Sequence, residues 1–274
     1  MNPEPLHLSS LANPRVKGVV KLRQRSHRDD AGLLLIEGYR EIKRALDNRY
    51  ALQELFTCRE LFQGENEDAL IDRARTAGAT VLTCTEAVFR KMAYRDRPEG
   101  LLALGPKLDR QLADLELPPA PLLLVAEAVE KPGNLGSMLR SADAAGVSAV
   151  IVCDPRTDVN NPNVVRASIG CLFAVPVVAT DGARARHWLA AHGVRTLAAS
   201  PHADRLYTDS NMTGPTAIVM GTEQVGLSEE WMRAADRQVR IPMRGQADSL
   251  NVAAAATILL YEAVRQRGGR PLSA

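Results

Sequence analysis

The run Leu122-Leu-Leu-Val-Ala-Glu-Ala-Val129 passes directly into Glu130-Lys-Pro-Gly-Asn-Leu-Gly-Ser-Met-Leu-Arg140. An apolar run of strand length, a Pro-Gly loop and a helical pattern through Leu139 and Ala145 read as strand, loop, helix. The same alternation continues downstream. Ala149–Cys153, Val175–Val178, Arg195–Ala199, Thr216–Met220 and Val239–Pro242 predict strands. Between them, Val164–Ile169, Ala183–His192 and Ser228–Ala235 predict helices, the last capped by Ser228. A long helix is expected over Ser249–Gln266. Short apolar strands alternating with helices imply an α/β domain with a mainly parallel sheet and helices on both faces.

Upstream, Lys107–Pro121 reads KLDRQLADLELPPAP, with three prolines in its last four residues. Proline removes a donor and stiffens the chain, so residues 107–121 are expected to be a linker. Residues 1–106 then form a smaller N-terminal domain and 122–274 a larger C-terminal one, both of plausible size. The N-terminal part also reads as α/β, with strands over Leu33–Glu37, Leu52–Thr57, Thr80–Thr83 and Glu99–Leu104. Helices are expected over Tyr39–Asn48, Asp68–Ala77 and Thr85–Met92.

The chain has 274 residues, 46% hydrophobic and 24% charged, which is ordinary for a globular protein and excludes extensive disorder. Aromatics are scarce at 2 Trp, 5 Tyr and 4 Phe, which disfavours a binder built on stacked rings. The net charge of +2 excludes a wholly basic protein, but charge is unevenly spread. Arg15, Lys17, Lys21, Arg23, Arg25 and Arg28 face only Glu4 between Met1 and Arg28. That stretch reads either as a solvated helix or as an arm that touches phosphates. Cys58, Cys84, Cys153 and Cys171 form no CxxC pair, so buried free thiols in a reducing cytoplasm are expected rather than zinc or disulfides. Met1–Ser10 lacks a basic-then-apolar leader pattern, and no run approaches the roughly 18 apolar residues of a membrane span. The expectation is a cytoplasmic protein with no membrane and no metal.

Ligands of parallel α/β sheets collect at loops leaving the carboxyl ends of strands. Three such loops are rich in glycine and polar residues: Glu130–Arg140, Met220–Leu227 and Ile241–Asn251. No GxxxxGK[ST] is present, and Gly133-x-x-Gly136 falls short of GxGxxG, so a P-loop and a dinucleotide fold are disfavoured. His187, His192 and His202 stand in no triad relation to a Ser or Cys.

Taken together the three loops resemble the SpoU (TrmH) family of RNA ribose 2′-O-methyltransferases. Asn134-Leu-Gly-Ser-Met-Leu-Arg140 is similar to the first family motif, Gly221-x-Glu223-x-x-Gly226-Leu227 to the second, and Ile241-Pro-Met with Ser249-Leu-Asn251-Val-Ala to the third. Each alone is weak; three in order make a specific signal. Leu34-Leu-Ile-Glu-Gly-Tyr-Arg40, Pro98-Glu-Gly-Leu101 and Ser10–Lys17 are similar to a substrate-recognition domain of the same family. The resemblance implies an α/β-knot, a deep trefoil knot that topology rules would not suggest, and a smaller N-terminal α/β RNA-binding domain. It also implies a homodimer and S-adenosylmethionine as cofactor.

On this reading Gly221, Ile241 and Leu250 hold the cofactor, with Met220 and Met243 as apolar walls and Gly226 and Asn251 beside them. Arg140 contacts the substrate phosphate and polarises the ribose hydroxyl; a guanidinium stays protonated, so proton abstraction by it needs strong perturbation. Glu223 is expected to orient Arg140. Asn134 holds its loop or contacts RNA. Ser249 is expected to cap the last helix, and Asn251 to reach the methionine end or the nucleotide. Large-subunit ribosomal RNA is the first expected substrate and transfer RNA the second. A non-catalytic RNA-binding or ribosome-assembly factor on the same scaffold is the alternative of a different class.

Overall fold

A computed structural model describes residues 6–268. The chain divides into two compact units, Met1–Leu108 with Asn160–Ala174, and Asp109–Val159 with Val175–Ala274.

The first unit is built on a five-stranded mixed sheet of β1 (His7–Leu8), β2 (Leu33–Glu37), β3 (Glu54–Thr57), β4 (Thr80–Cys84) and β5 (Leu101–Pro106). The strand order is β1-β4-β3-β5-β2, with β5 antiparallel to both neighbours. Leu34, Leu35 and Ile36 are fully buried, as a continuous apolar run covered on both faces requires. Thr85 caps the helix Glu86–Met92 by accepting from the Val88 N–H. The segment Asn160–Ala174, which sequence alternation assigns to the second half, belongs to this unit. Asn163 Nδ2 donates to the Tyr94 hydroxyl at 2.8 Å, and the Arg44 guanidinium donates to the Ile169 carbonyl.

The second unit carries a six-stranded, all-parallel sheet: β6 (Leu122–Glu127), β7 (Ala149–Cys153), β8 (Val177–Thr180), β9 (Arg195–Ala199), β10 (Thr216–Met220) and β11 (Arg237–Val239). The order is β11-β9-β10-β6-β7-β8. Every residue of β6, β7 and β10 is buried, which suits a parallel sheet covered by helices. Register places Met220 beside Ala126, and Val239 beside Ala199. The carboxyl ends of β6, β10, β9 and β11 therefore lie side by side at one edge of the sheet, and the loops that leave them converge there.

Among the expected boundaries that shift, two bear on the converging loops. The last strand ends at Val239, leaving Ile241 in the following loop. The last helix begins at Val252 and is capped by Asn251, whose Oδ1 accepts from the Ala253 and Ala254 N–H groups at 3.0 and 3.4 Å. Ser249 is therefore not the cap. The four cysteines are free and buried. Among the described residues no helix is long and apolar enough to cross a membrane.

Candidate functional site

At the carboxyl edge of the second sheet lies a cavity of about 420 Å³. Met220, Gly221, Glu223, Gly226, Ile241, Met243, Ser249 and Leu250, all singled out by sequence, line it. Ser200 and His202, from the loop after β9, line it too and were not anticipated. They carry no motif; only the sheet order brings that loop beside β10.

The wall formed by Gly221–Leu227 is a tight turn. Thr222 N donates to the Gly226 carbonyl at 2.9 Å, and Gly226 N returns to the Thr222 carbonyl at 3.2 Å. Thr222 Oγ1 accepts from the Val225 N–H at 3.1 Å. Closure needs two glycines for different reasons. Gly226 has φ +74°, a left-handed conformation costly for other residues. At Gly221 a Cβ would lie 2.2 Å from the Gly226 carbonyl carbon. Beyond the turn, the Ser228 N–H donates to Glu127 Oε2 at 2.8 Å, tying the loop to the end of β6. Glu127 is a buried carboxylate inside an apolar run, a signal that sequence reading passed over.

Three site residues are joined across three loops. Asn251 Nδ2 donates to Asn134 Oδ1 at 3.1 Å, and Asn134 Nδ2 donates to Glu223 Oε1. Asn134 lies in the first turn of the helix Pro132–Ala144, whose positive end favours the Glu223 carboxylate. Asn134 does not cap that helix; Lys131 occupies the cap position.

The expected pairing of Glu223 with Arg140 is corrected here: Asn134 is the partner. Helical geometry gives the reason. Six residues advance about 9 Å along the axis and leave Arg140 about 120° around from Asn134. Arg140 is exposed and makes no ion pair or hydrogen bond with the described residues. Arg140, Asn134 and Asn251 do not line the cavity; the two asparagines reach it through Glu223.

The basic N-terminal stretch is not a free arm. Arg15, Lys17 and Lys21 lie on the helix Pro14–Lys21, which buries Val16 and Val19, and Arg25 and Arg28 on the helix Arg25–Ala31. The six cations divide by role. Arg28 is 2% exposed and donates to the Leu22 and Arg23 carbonyls at 2.9 and 3.0 Å, so its assignment to RNA is overturned. Arg23 donates to the Lys91 and Ala93 carbonyls, which occupies that guanidinium with the fold. Arg15 pairs with Glu54 at 3.3 Å and Arg25 with Asp29 at 3.4 Å. Lys17 and Lys21 are exposed, with no partner among the described residues.

The model described as "SpoU rRNA Methylase family" matches residues 121–261, and the one described as "MRM3-like substrate binding domain" matches residues 13–103. A 23S rRNA (uridine(2479)-2′-O)-methyltransferase of Streptomyces viridochromogenes is 35% identical, covering 90% of this chain and 87% of that protein. A crystal structure of an RNA 2′-O ribose methyltransferase superposes with TM-score 0.83 at 42% identity, covering 96% of this chain and 99% of the other. An AdoMet-bound rRNA methyltransferase from Sinorhizobium meliloti superposes with TM-score 0.86 at 31% identity, covering 94% and 97%.

Proposed function

The chain belongs to the SpoU rRNA methylase family, and from that premise we propose that it transfers a methyl group from S-adenosylmethionine to a ribose 2′-OH of large-subunit ribosomal RNA. One observation carries the reading most: the connected amides and carboxylate of Asn251, Asn134 and Glu223 flank a glycine-walled cavity, and the helix that carries Asn134 also presents Arg140, whose side chain has no partner among the described residues.

The cavity suits the cofactor. Its size lies in the usual range for small-molecule sites. Gly221 lets the turn close against Gly226 and Leu227 to form a wall, Ile241, Leu250, Met220 and Met243 supply apolar surface, and Ser200 and Ser249 supply polar edges. When bound, S-adenosylmethionine supplies a methyl carried by a sulfonium. The protein's own contribution is positioning, and a fixed near-attack arrangement is worth several kcal/mol of barrier. Glu223 is held by Asn134, so the turn around the cavity keeps its shape. Arg140, with five donors and a permanent charge, binds phosphate and polarises the hydroxyl. In the first unit, Lys17 and Lys21 offer charge to the RNA backbone. The knot, the homodimer and a cytoplasmic location belong to the same proposal.

The test is methyl transfer from labelled S-adenosylmethionine to ribosomal RNA, with mass spectrometry of RNA from a strain lacking the gene. Loss of one ribose methyl in that strain is the expected result. An unchanged methylation pattern, with no transfer in vitro, defeats the reading.

A further inference from the structure

The first unit holds a second cavity, of about 450 Å³, that the proposed chemistry does not use. Tyr39, Arg40, Glu41, Gln63, Glu67 and Glu99 are among its lining residues. Its floor is a built ion network. Arg95 Nη2 donates to Glu41 Oε1 at 2.6 Å and Nη1 to Glu99 Oε1 at 2.5 Å. Gly38, at φ +112°, lets these groups close up: a Cβ there would lie 2.5 Å from Glu41 Oε2 and 2.7 Å from Arg95 Nη2. Glu67 is 5% exposed. Its Oε1 accepts from the Gln63 and Gly64 N–H groups at 3.2 and 2.8 Å, while Oε2 has no partner among the described residues. Burial pushes the Glu41 carboxyl above its ordinary range, with Arg95 opposing.

We propose that this cavity takes an unpaired guanine nucleotide of RNA. The inference rests on the reading of the protein as an RNA enzyme. Three carboxylates against the two guanidiniums of Arg40 and Arg95 exclude a phosphate from the floor, and Arg95's Nη groups are already engaged. With Arg95 Nη1 and Nη2 engaged by Glu99 Oε1 and Glu41 Oε1, the lining keeps a buried acceptor at Glu67 Oε2 and exposed side-chain donors on Gln63 and Arg40. Guanine is the RNA base whose Watson–Crick edge offers two adjacent donors, N1–H and N2–H, and unpaired bases are what proteins read in RNA. Glu67 Oε2 takes one of these donors. Gln63, exposed and without a side-chain partner among the described residues, is free for the acceptor edge. Arg40, also exposed and without a side-chain partner among the described residues, meets the flanking phosphate.

The experiment is fluorescence anisotropy of the full-length protein with 5′-labelled UUGUU, UUIUU, UUAUU, UUCUU and UUUUU. A carboxylate read-out predicts that UUGUU binds about tenfold tighter than the A, C and U oligomers. Inosine, lacking the exocyclic amine, falls between. Glu67→Gln keeps a carbonyl for Gln63 N and Gly64 N but replaces the free oxygen by a donor, so the preference falls to about twofold or less with unchanged melting. Equal binding of all five oligomers overturns the proposal, as does a guanine preference that survives Glu67→Gln, or guanosine monophosphate binding more tightly than UUGUU. Methyl transfer by the same preparation is read separately. Transfer with indifferent oligomer binding removes the pocket and leaves the enzyme; guanine preference without transfer does the reverse.

Discussion

Gly221→Ala isolates what the glycine-walled turn does for the cavity. The added Cβ would lie 2.2 Å from Gly226 C, 2.3 Å from Gly226 O and 2.3 Å from Leu227 N. All three are backbone atoms, so no rotamer change relieves the clash. Relief requires opening the Thr222–Gly226 turn, which loses the two backbone hydrogen bonds that close it. At about 1 kcal/mol each, the closed turn is penalised by about 2 kcal/mol. If the cofactor binds only the closed turn, the competent fraction falls and the apparent affinity drops about 30-fold. The assay is calorimetry with S-adenosylmethionine on the wild type and the variant, with melting recorded alongside. Melting should fall by at most about 4–8 °C, the size of the two lost bonds, and by less where the turn, whose Val225 is 82% exposed, opens locally. Gly133→Ala is the control: a Cβ there meets nothing within 4 Å, and alanine suits the helix better. Gly221→Ala binding within about threefold of the wild type would refute the reasoning, since it would mean that the turn's closure does not shape the cavity.

Arg140→Ala should abolish methyl transfer and leave cofactor titrations unchanged, because the side chain is exposed and does not line the cavity; lost cofactor binding contradicts its assigned role. Asn251→Ala removes a helix cap and the bond to Asn134, together about 2 kcal/mol, which lowers Tm by about 4–8 °C. Asn251→Asp keeps the cap but loses the amide donor, so melting should recover while methyl transfer does not. Arg28→Ala should destabilise by about 3 kcal/mol, since it strips buried carbonyls of their donor. Lys17→Ala with Lys21→Ala should leave melting unchanged and lower the slope of log K against log salt for RNA by about 2. For Glu41, whose folded pKa is raised by burial, the stabilising contribution is complete below the unfolded value of about 4.3. It is lost as pH rises through the folded value, so the melting advantage of the wild type over Glu41→Gln should shrink on raising the pH from about 4; a widening advantage reverses the sign.

What the sequence revealed follows the range of the interactions involved. The apolar runs of β6, β7 and β10 and the cap at Ser228 are local facts, and each is written in adjacent residues. The cavity lining was legible for a related reason. In a parallel sheet the loops at one edge share a direction, so glycine-rich loops after strands could be placed together before their order was known. Partner choice was not legible, because it depends on angle and distance between loops. Opposite charge alone pairs Glu223 with Arg140 of the first motif. The helix turns Arg140 away and offers Asn134 instead. Arg28 shows the same limit from another side. A run of cations reads as a solvated or phosphate-binding face, yet one of them is buried against carbonyls that only the turn between two short helices brings together. Asn160–Ala174 is the largest case: the helical pattern over Val164–Ile169 is local, but the segment's membership of the first unit rests on bonds such as Asn163 to Tyr94, 69 residues apart. A side chain's chemical type is therefore readable from sequence, whereas the group it satisfies is fixed by the long-range fold. Arg140 is the informative exception, because its side chain finds no ion pair or hydrogen bond among the described residues. A permanent charge held exposed on the helix that presents Asn134 costs little in water and gains a partner only when an anion arrives. That is the arrangement expected of a group kept for substrate phosphate rather than for stability.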